Sequence, residues 1–212
     1  IVSPLSAGNT MKLHTLLLIS LFVSPVHAAD KPSSITGGKT ETAIFAGGCF
    51  WCMEPPFDKL DGVLSTTSGY TAGHKKNPSY KEVSAGSTGH TEAIQIEYDP
   101  EKISYSQLLK VYWKNIDPVA VDRQFCDAGN QYRSGIYYLN EKQQAEARRS
   151  LQELSSNKPF EGEIATEILP ASTFYPAEEY HQDYYQKNPI RYKYYRFACG
   201  RDARLEELWG SE

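Results

Sequence analysis

The sequence predicts an α+β fold, an open mixed β-sheet with helices packed against it. Short apolar or alternating runs are interleaved with segments of helical period, the helices separate the strands without the regular repeat of a doubly wound fold, and the C-terminal stretch reads as a long irregular tail. The order starts at Thr42–Ala46, a short apolar strand ending in Gly47-Gly48, after which Phe50–Leu60 carries apolar residues at helix-like intervals. Val63–Tyr70 and Glu92–Tyr98 read as strands, the second with Ile94, Ile96 and Tyr98 on one face, separated by a loop rich in Gly, Ser, Asn and Pro. Ser104 is placed to cap a helix whose Leu108, Leu109, Tyr112, Trp113 and Ile116 form one stripe, and Asp117-Pro118 stops it. Ser134–Leu139 is the next strand, Asn140 caps a helix carrying Ala147, Leu151 and Leu154, and Gly162–Leu169 reads as a further strand.

Of the 212 residues, 40% are apolar and 12% aromatic, enough to bury the core of one ordinary domain. A net charge of −4, with Lys and Arg spread along the chain, gives no electrostatic footprint for nucleic acid or anionic lipid. From Met11, read as the translational start, Lys12 precedes an apolar run from Leu13 to Val26 that is too short to span a bilayer, followed by His27 and the small residues Ala28-Ala29. This pattern is a secretory signal peptide with cleavage after Ala28, so residues 1–28 stand apart from the fold. Residues 29–41, rich in Lys, Ser, Thr and Gly, read as a flexible lead-in, and the folded domain spans residues 42–212. The protein is expected to be exported to the periplasm without a stable membrane anchor, and to act as a monomer.

Cys49, Cys52, Cys126 and Cys199 make two structural disulfides the plain expectation for an oxidising compartment. The Cys-x-x-Cys spacing of the first pair, far from the other two, argues for a redox role instead. Cys49 follows two glycines at the predicted start of a helix, where unpaired N–H groups and the helix dipole stabilise a thiolate and lower its pKa. The glycines permit a sharp strand-to-helix turn that presents a nucleophile. Phe50 and Trp51 either pack in the core or form an apolar wall beside the sulfur. Cys49-x-x-Cys52 also has zinc-ligand spacing, but there is no second such pair and His74, His90 and His181 are dispersed, so no metal is expected. His181 is expected to pack or hydrogen-bond, and His90 to be a turn residue positioning Glu92. Without a dinucleotide or phosphate-loop motif no cofactor is expected.

The run Gly48-Cys49-Phe50-Trp51 after an apolar strand resembles the signature of the type A peptide methionine sulfoxide reductases. Ser68-Gly69-Tyr70, Asn77-Pro78-Ser79-Tyr80, Thr88-Gly89-His90-Thr91-Glu92, Gln131-Tyr132-Arg133-Ser134 and Glu179-Tyr180-His181-Gln182-Asp183-Tyr184 resemble further family stretches in family order, so the likeness covers Thr42 to about Gly210. It implies a ferredoxin-like two-layer core and reduction of methionine S-sulfoxide, free or in damaged proteins. A sulfoxide is a poor electrophile until its oxygen is protonated, and by the family pattern the acid is Glu92, its pKa raised by aromatic surroundings. Tyr80 and Tyr132 match tyrosines that hydrogen-bond the sulfoxide oxygen, and Asp127 a residue that organises the site, with Arg133 as its possible partner. The mechanism implied is attack by Cys49, formation of a sulfenic acid, closure of a disulfide with a second cysteine, and reduction by an external thioredoxin-type dithiol. The resemblance leaves two resolving cysteines open: Cys199 in the tail, which is favoured, and Cys52, which is able to resolve first with Cys199 relaying outward. Cys126 either belongs to the relay or is a buried thiol, the second being favoured. The leading alternative is a thioredoxin-like thiol-disulfide oxidoreductase, against which stands Trp51 inside the cysteine pair; a Cys-His hydrolase and a disulfide-stabilised binding module are the others.

Overall fold

The apolar strand that opens the domain, β1 (Glu41–Gly47), is buried from Ala43 onward on both faces, so it takes a central place in its sheet. The computed structural model describes residues 39–210, and residues 1–28, read as a signal peptide, and residues 29–38 of the expected lead-in lie outside the described residues. β1 pairs antiparallel with β3 (Thr91–Tyr98) and with β6 (Ser134–Tyr138). Outside β3 lies β2 (Val63–Thr71), flanked by the short β8 (Tyr175–Pro176), while β7 (Glu167–Pro170) runs parallel to β6. The sheet order is β7-β6-β1-β3-β2-β8. Two-residue strands β4 (Arg123–Gln124) and β5 (Asp127–Ala128) form a separate hairpin.

Alternation along the strands divides the apolar residues between two faces. Ala43, Phe45, Ile94, Ile96, Tyr98 and Ile136 meet α1 (Phe50–Asp58), α3 (Tyr105–Lys114) and α4 (Glu141–Asn157) in one core, a sheet covered by a layer of helices as the two-layer expectation required. Ile44, Ala46, Ala93 and Tyr137 form a smaller cluster on the opposite face with Ala72, Ala171 and Phe174. The caps foreseen at Ser104 and Asn140 are both present: Ser104 Oγ accepts from Gln107 N–H at 3.3 Å, and Asn140 Oδ1 from Gln143 N–H at 2.9 Å. Such caps contribute about 1 kcal/mol each.

Three readings change. The strand expected over Gly162–Leu169 pairs with β6 only from Glu167, because Ala165 N–H donates instead to the Pro118 carbonyl at 2.8 Å. Within the loop after β2, Ser79-x-x-Glu82 is a capping box that starts a short helix, α2 (Tyr80–Ser84). The tail is irregular as far as Asp183 and then helical: α5 (Tyr184–Lys187), α6 (Pro189–Ala198) and α7 (Arg201–Trp209). Tertiary packing makes α6 a helix, since Pro189 suits its first turn and Tyr192 is buried over Cys52.

Candidate active site

Gly48 has φ +81°, and a Cβ there would lie 2.5 Å from Gln124 Cβ, so the turn from β1 into α1 requires glycine. The turn leaves Cys49 as the N-cap of α1 with the N–H groups of Phe50 and Trp51 free of helical partners, while Cys52 N–H donates to the Cys49 carbonyl at 3.0 Å. One of these, Phe50 N–H, donates to Glu92 Oε2 at 3.1 Å, which ties the acid on β3 to the residue after Cys49. Glu92 is 2% exposed. Burial pushes its carboxyl up to about 8 against the Phe50 N–H, with Asp127 adding to the rise, so Glu92 is a neutral acid at pH 7.

Cys49, Phe50, Trp51, Tyr80, Glu92, Asp127, Tyr132 and Tyr195 line one pocket of about 80 Å³. The first seven are the residues singled out in the sequence, drawn from α1, α2, β3, β5 and the turn before β6. A larger cleft of about 670 Å³ between α1, α3 and α6 is lined by neither cysteine nor carboxylate and lies away from this chemistry. Phe50 is buried at the pocket wall. Trp51 stacks on Tyr184 with centroids 3.7 Å apart, and its Nε1 donates to His181 Nδ1 at 3.0 Å. Burial lowers the His181 pKa, so the ring is neutral and accepts this bond. Burial pushes Tyr80 up to about 12 and raises Tyr132, keeping both hydroxyls protonated donors. His90 stitches a loop rather than the acid: its Nδ1 accepts from Gly73 N–H at 3.1 Å and Nε2 meets the Lys75 carbonyl at 2.7 Å.

Asp127 accepts from the Tyr195 hydroxyl, and Arg133, the partner expected from sequence, pairs instead with Glu167 at 3.2 Å. Tyr195 was not anticipated; with residues 189–198 read as irregular, its place on the same helical face as the buried Tyr192 was not visible.

The cysteines depart from expectation in two respects. Cys126, read as a buried thiol, is exposed and disulfide-bonded to Cys199, so Cys199, the favoured resolving residue, is engaged away from Cys49. Cys49 and Cys52 are the free pair, 6% and 1% exposed, with their side chains hydrogen-bonded. The expected lowering of the Cys49 pKa is reversed. Burial, Cys52 and the Glu92 and Asp127 carboxylates push the Cys49 thiol up, whereas the Cys49 hydrogen bond, helped by Arg201 and Arg196, brings Cys52 down to about 7. The two shifts run in opposite directions, and the surroundings favour ionisation at Cys52 over Cys49.

A buried dithiol, one sulfur of which lines a small aromatic pocket with a neutral carboxylic acid and two phenol donors, has the make-up of a thiol-dependent oxidoreductase. The family model described as peptide methionine sulfoxide reductase matches residues 41–212, and the chain belongs to that family. The peptide methionine sulfoxide reductase MsrA of Bacillus licheniformis is 51% identical over 172 residues, 81% of this chain and 95% of the relative. Among solved structures, methionine sulfoxide reductase A of Corynebacterium diphtheriae superposes with TM-score 0.66 at 36% identity, over 71% of this chain and 76% of that one. Mxr1 of Saccharomyces cerevisiae in reduced form gives TM-score 0.67 at 33% identity, over 71% and 87%, and Mxr1 has also been solved in complex with Trx2. The chain is an oxidoreductase that reduces methionine sulfoxide to methionine.

Proposed function

We propose that the sulfur of a methionine S-sulfoxide, free or in an oxidised protein, is attacked in the 80 Å³ pocket by Cys49. The observation that carries this reading is the buried, neutral Glu92 held on Phe50 N–H beside the Cys49 sulfur. Glu92 protonates the departing oxygen, Tyr80 and Tyr132 donate hydrogen bonds to it, and Phe50 and Trp51 enclose the methyl group. The sulfoxide and the Cys49 thiol become thioether and Cys49 sulfenic acid, and the Cys49 proton restores Glu92. Cys52, the hydrogen-bonded neighbour, then attacks the sulfenic sulfur, forming the Cys49–Cys52 disulfide and expelling water. The exposed Cys126–Cys199 bond carries the exchange outward, and a thioredoxin-type dithiol protein supplies the electrons. The leader sequence from Met11 supports repair of exported proteins in the periplasm.

The test is reduction of a racemic methionine sulfoxide peptide with dithiothreitol, the residual substrate being resolved by chiral chromatography. Loss of one epimer only, abolished by Cys49→Ser, is expected, and peptide mapping after one turnover without reductant is expected to find Cys49 bonded to Cys52. Consumption of both epimers, or full activity in Cys49→Ser, defeats the reading.

A further inference from the structure

Arg201 opens α7 directly after Gly200 and is 2% exposed. Its Nη2 donates to the carbonyl of Asn115 at 2.6 Å and of Gly47 at 3.2 Å, and lies 3.1 Å from Met53 Sδ. The Phe125 ring covers the guanidinium, 4.3 Å from Cζ to centroid, and Nε has no partner. All these partners are neutral. Among the described residues no carboxylate forms an ion pair with Arg201. A guanidinium cannot shed its proton, so a buried one with neutral partners requires a counter-charge nearby.

The contacts place the guanidinium against the turn that carries the cysteines. Gly47 precedes and Met53 follows the segment Gly48–Cys52, so the guanidinium lies beneath the turn that carries both thiols. Other charged and titratable groups facing this turn are Glu92 on β3, Asp127 on β5, and Tyr192, Tyr195 and Arg196 on α6. Glu92 is neutral at pH 7 and Arg196 is paired with Asp202, while Asp127, bonded to the uncharged Tyr195 hydroxyl, shares the field of Arg201 with the Cys52 sulfur.

We propose that Arg201 is the fixed counter-charge of the resolving sulfur, a guanidinium sealed beneath the Gly48–Cys52 turn that favours the Cys52 thiolate and readies it to attack the Cys49 sulfenic acid. In that step the Cys52 thiolate and the sulfenic acid form the disulfide, and the expelled hydroxide takes a proton to leave as water. Arg201 touches neither substrate nor reacting sulfur, so it is a positioning residue. The inference rests on Cys49 and Cys52 being the reacting pair.

The experiment follows each thiol by NMR of carbon-labelled cysteine across pH in the reduced protein, together with the rate of disulfide closure after a single turnover. Wild-type Cys52 is expected to titrate near about 7. In Arg201→Gln its midpoint rises by about one to two pH units, the effect of removing a nearby opposite charge. Closure at pH 7 then slows roughly tenfold, in line with the lost thiolate fraction, while methionine release slows far less. Arg201→Lys keeps the charge and the midpoint to within about half a unit. A folded Arg201→Gln with the wild-type midpoint overturns the proposal, as does an Arg201→Lys midpoint raised as far as that of Arg201→Gln. If Arg201→Gln does not fold, the wild-type titration decides, since a Cys52 that ionises only near the ordinary thiol value of about 8.5 refutes the counter-charge. Failure of the underlying reading looks different: a single turnover then leaves no Cys49–Cys52 disulfide.

Discussion

Replacing Glu92 by glutamine keeps the shape and the oxygen that accepts Phe50 N–H, but removes the proton and the burden of burying a carboxyl. The folded carboxyl ionises near about 8 against an ordinary value of 4.5, mainly because it is buried. For a carboxyl with a raised folded value, stability is fully present below the unfolded value and is lost as pH rises toward the folded one. At about 1.4 kcal/mol per pH unit, the wild type should lose about 3 kcal/mol between pH 5 and pH 8 that Glu92→Gln does not lose. Urea unfolding of the two proteins at both pH values measures this, and stability curves that stay parallel from pH 5 to pH 8 would refute the argument. Catalysis should move the opposite way. Glu92→Gln is expected to lose about 10²–10⁴-fold in kcat/KM, the range for removing a general acid. The wild-type profile should decline as pH rises through about 8, and this limb should vanish in the variant.

Two further substitutions probe the geometry. Gly48→Ala places a Cβ 2.5 Å from Gln124 Cβ at φ +81°, so calorimetry should show about 2–3 kcal/mol of destabilisation, and wild-type stability would contradict the turn described. Tyr80→Phe and Tyr132→Phe should each lower kcat/KM by roughly 10–10²-fold while leaving the decline near pH 8 in place, because Glu92 remains. Unchanged kcat/KM in both variants would remove the tyrosines from the chemistry.

The elements most legible in the sequence were those whose signals are local. Ser104 and Asn140 announce their helices by side-chain caps, and the Ile94, Ile96, Tyr98 alternation marks a strand with one face on the helices. The pocket residues were legible as a set of motifs rather than as positions in space: nothing in the spacing of Tyr80, Glu92 and Tyr132 brings them together until the α2 turn, the centre of the sheet and the turn before β6 converge on Cys49. What stayed hidden depends on distant contacts. The Cys126–Cys199 pairing joins residues 73 apart through the placement of a hairpin against the end of α6. The helical tail has a Tyr-rich sequence of modest propensity and is ordered by burying Tyr192 against Cys52. Helix position alone assigned the charge to Cys49, because it accounted for backbone N–H groups and left out the burial of that sulfur and its hydrogen bond with Cys52.

That reversal has a chemical consequence. A Cys49 thiolate resting between Glu92 and Asp127 would be a nucleophile opposed by its own acid, since each lost proton raises the cost of the other. Favouring ionisation at Cys52 over Cys49 lets Glu92 stay protonated and Cys49 stay a thiol until a sulfoxide enters. Its polarised oxygen then draws the Glu92 proton as the sulfur draws the thiol's electrons. On the proposed assignment of Cys52 as the resolving residue, the same arrangement orders the second step, because the cysteine that ionises more readily is the one that attacks once Cys49 has become a sulfenic acid. On that assignment one pair of thiols serves both half-reactions, and burial of the carboxyl that costs stability near pH 7 is what keeps the acid protonated for the first of them.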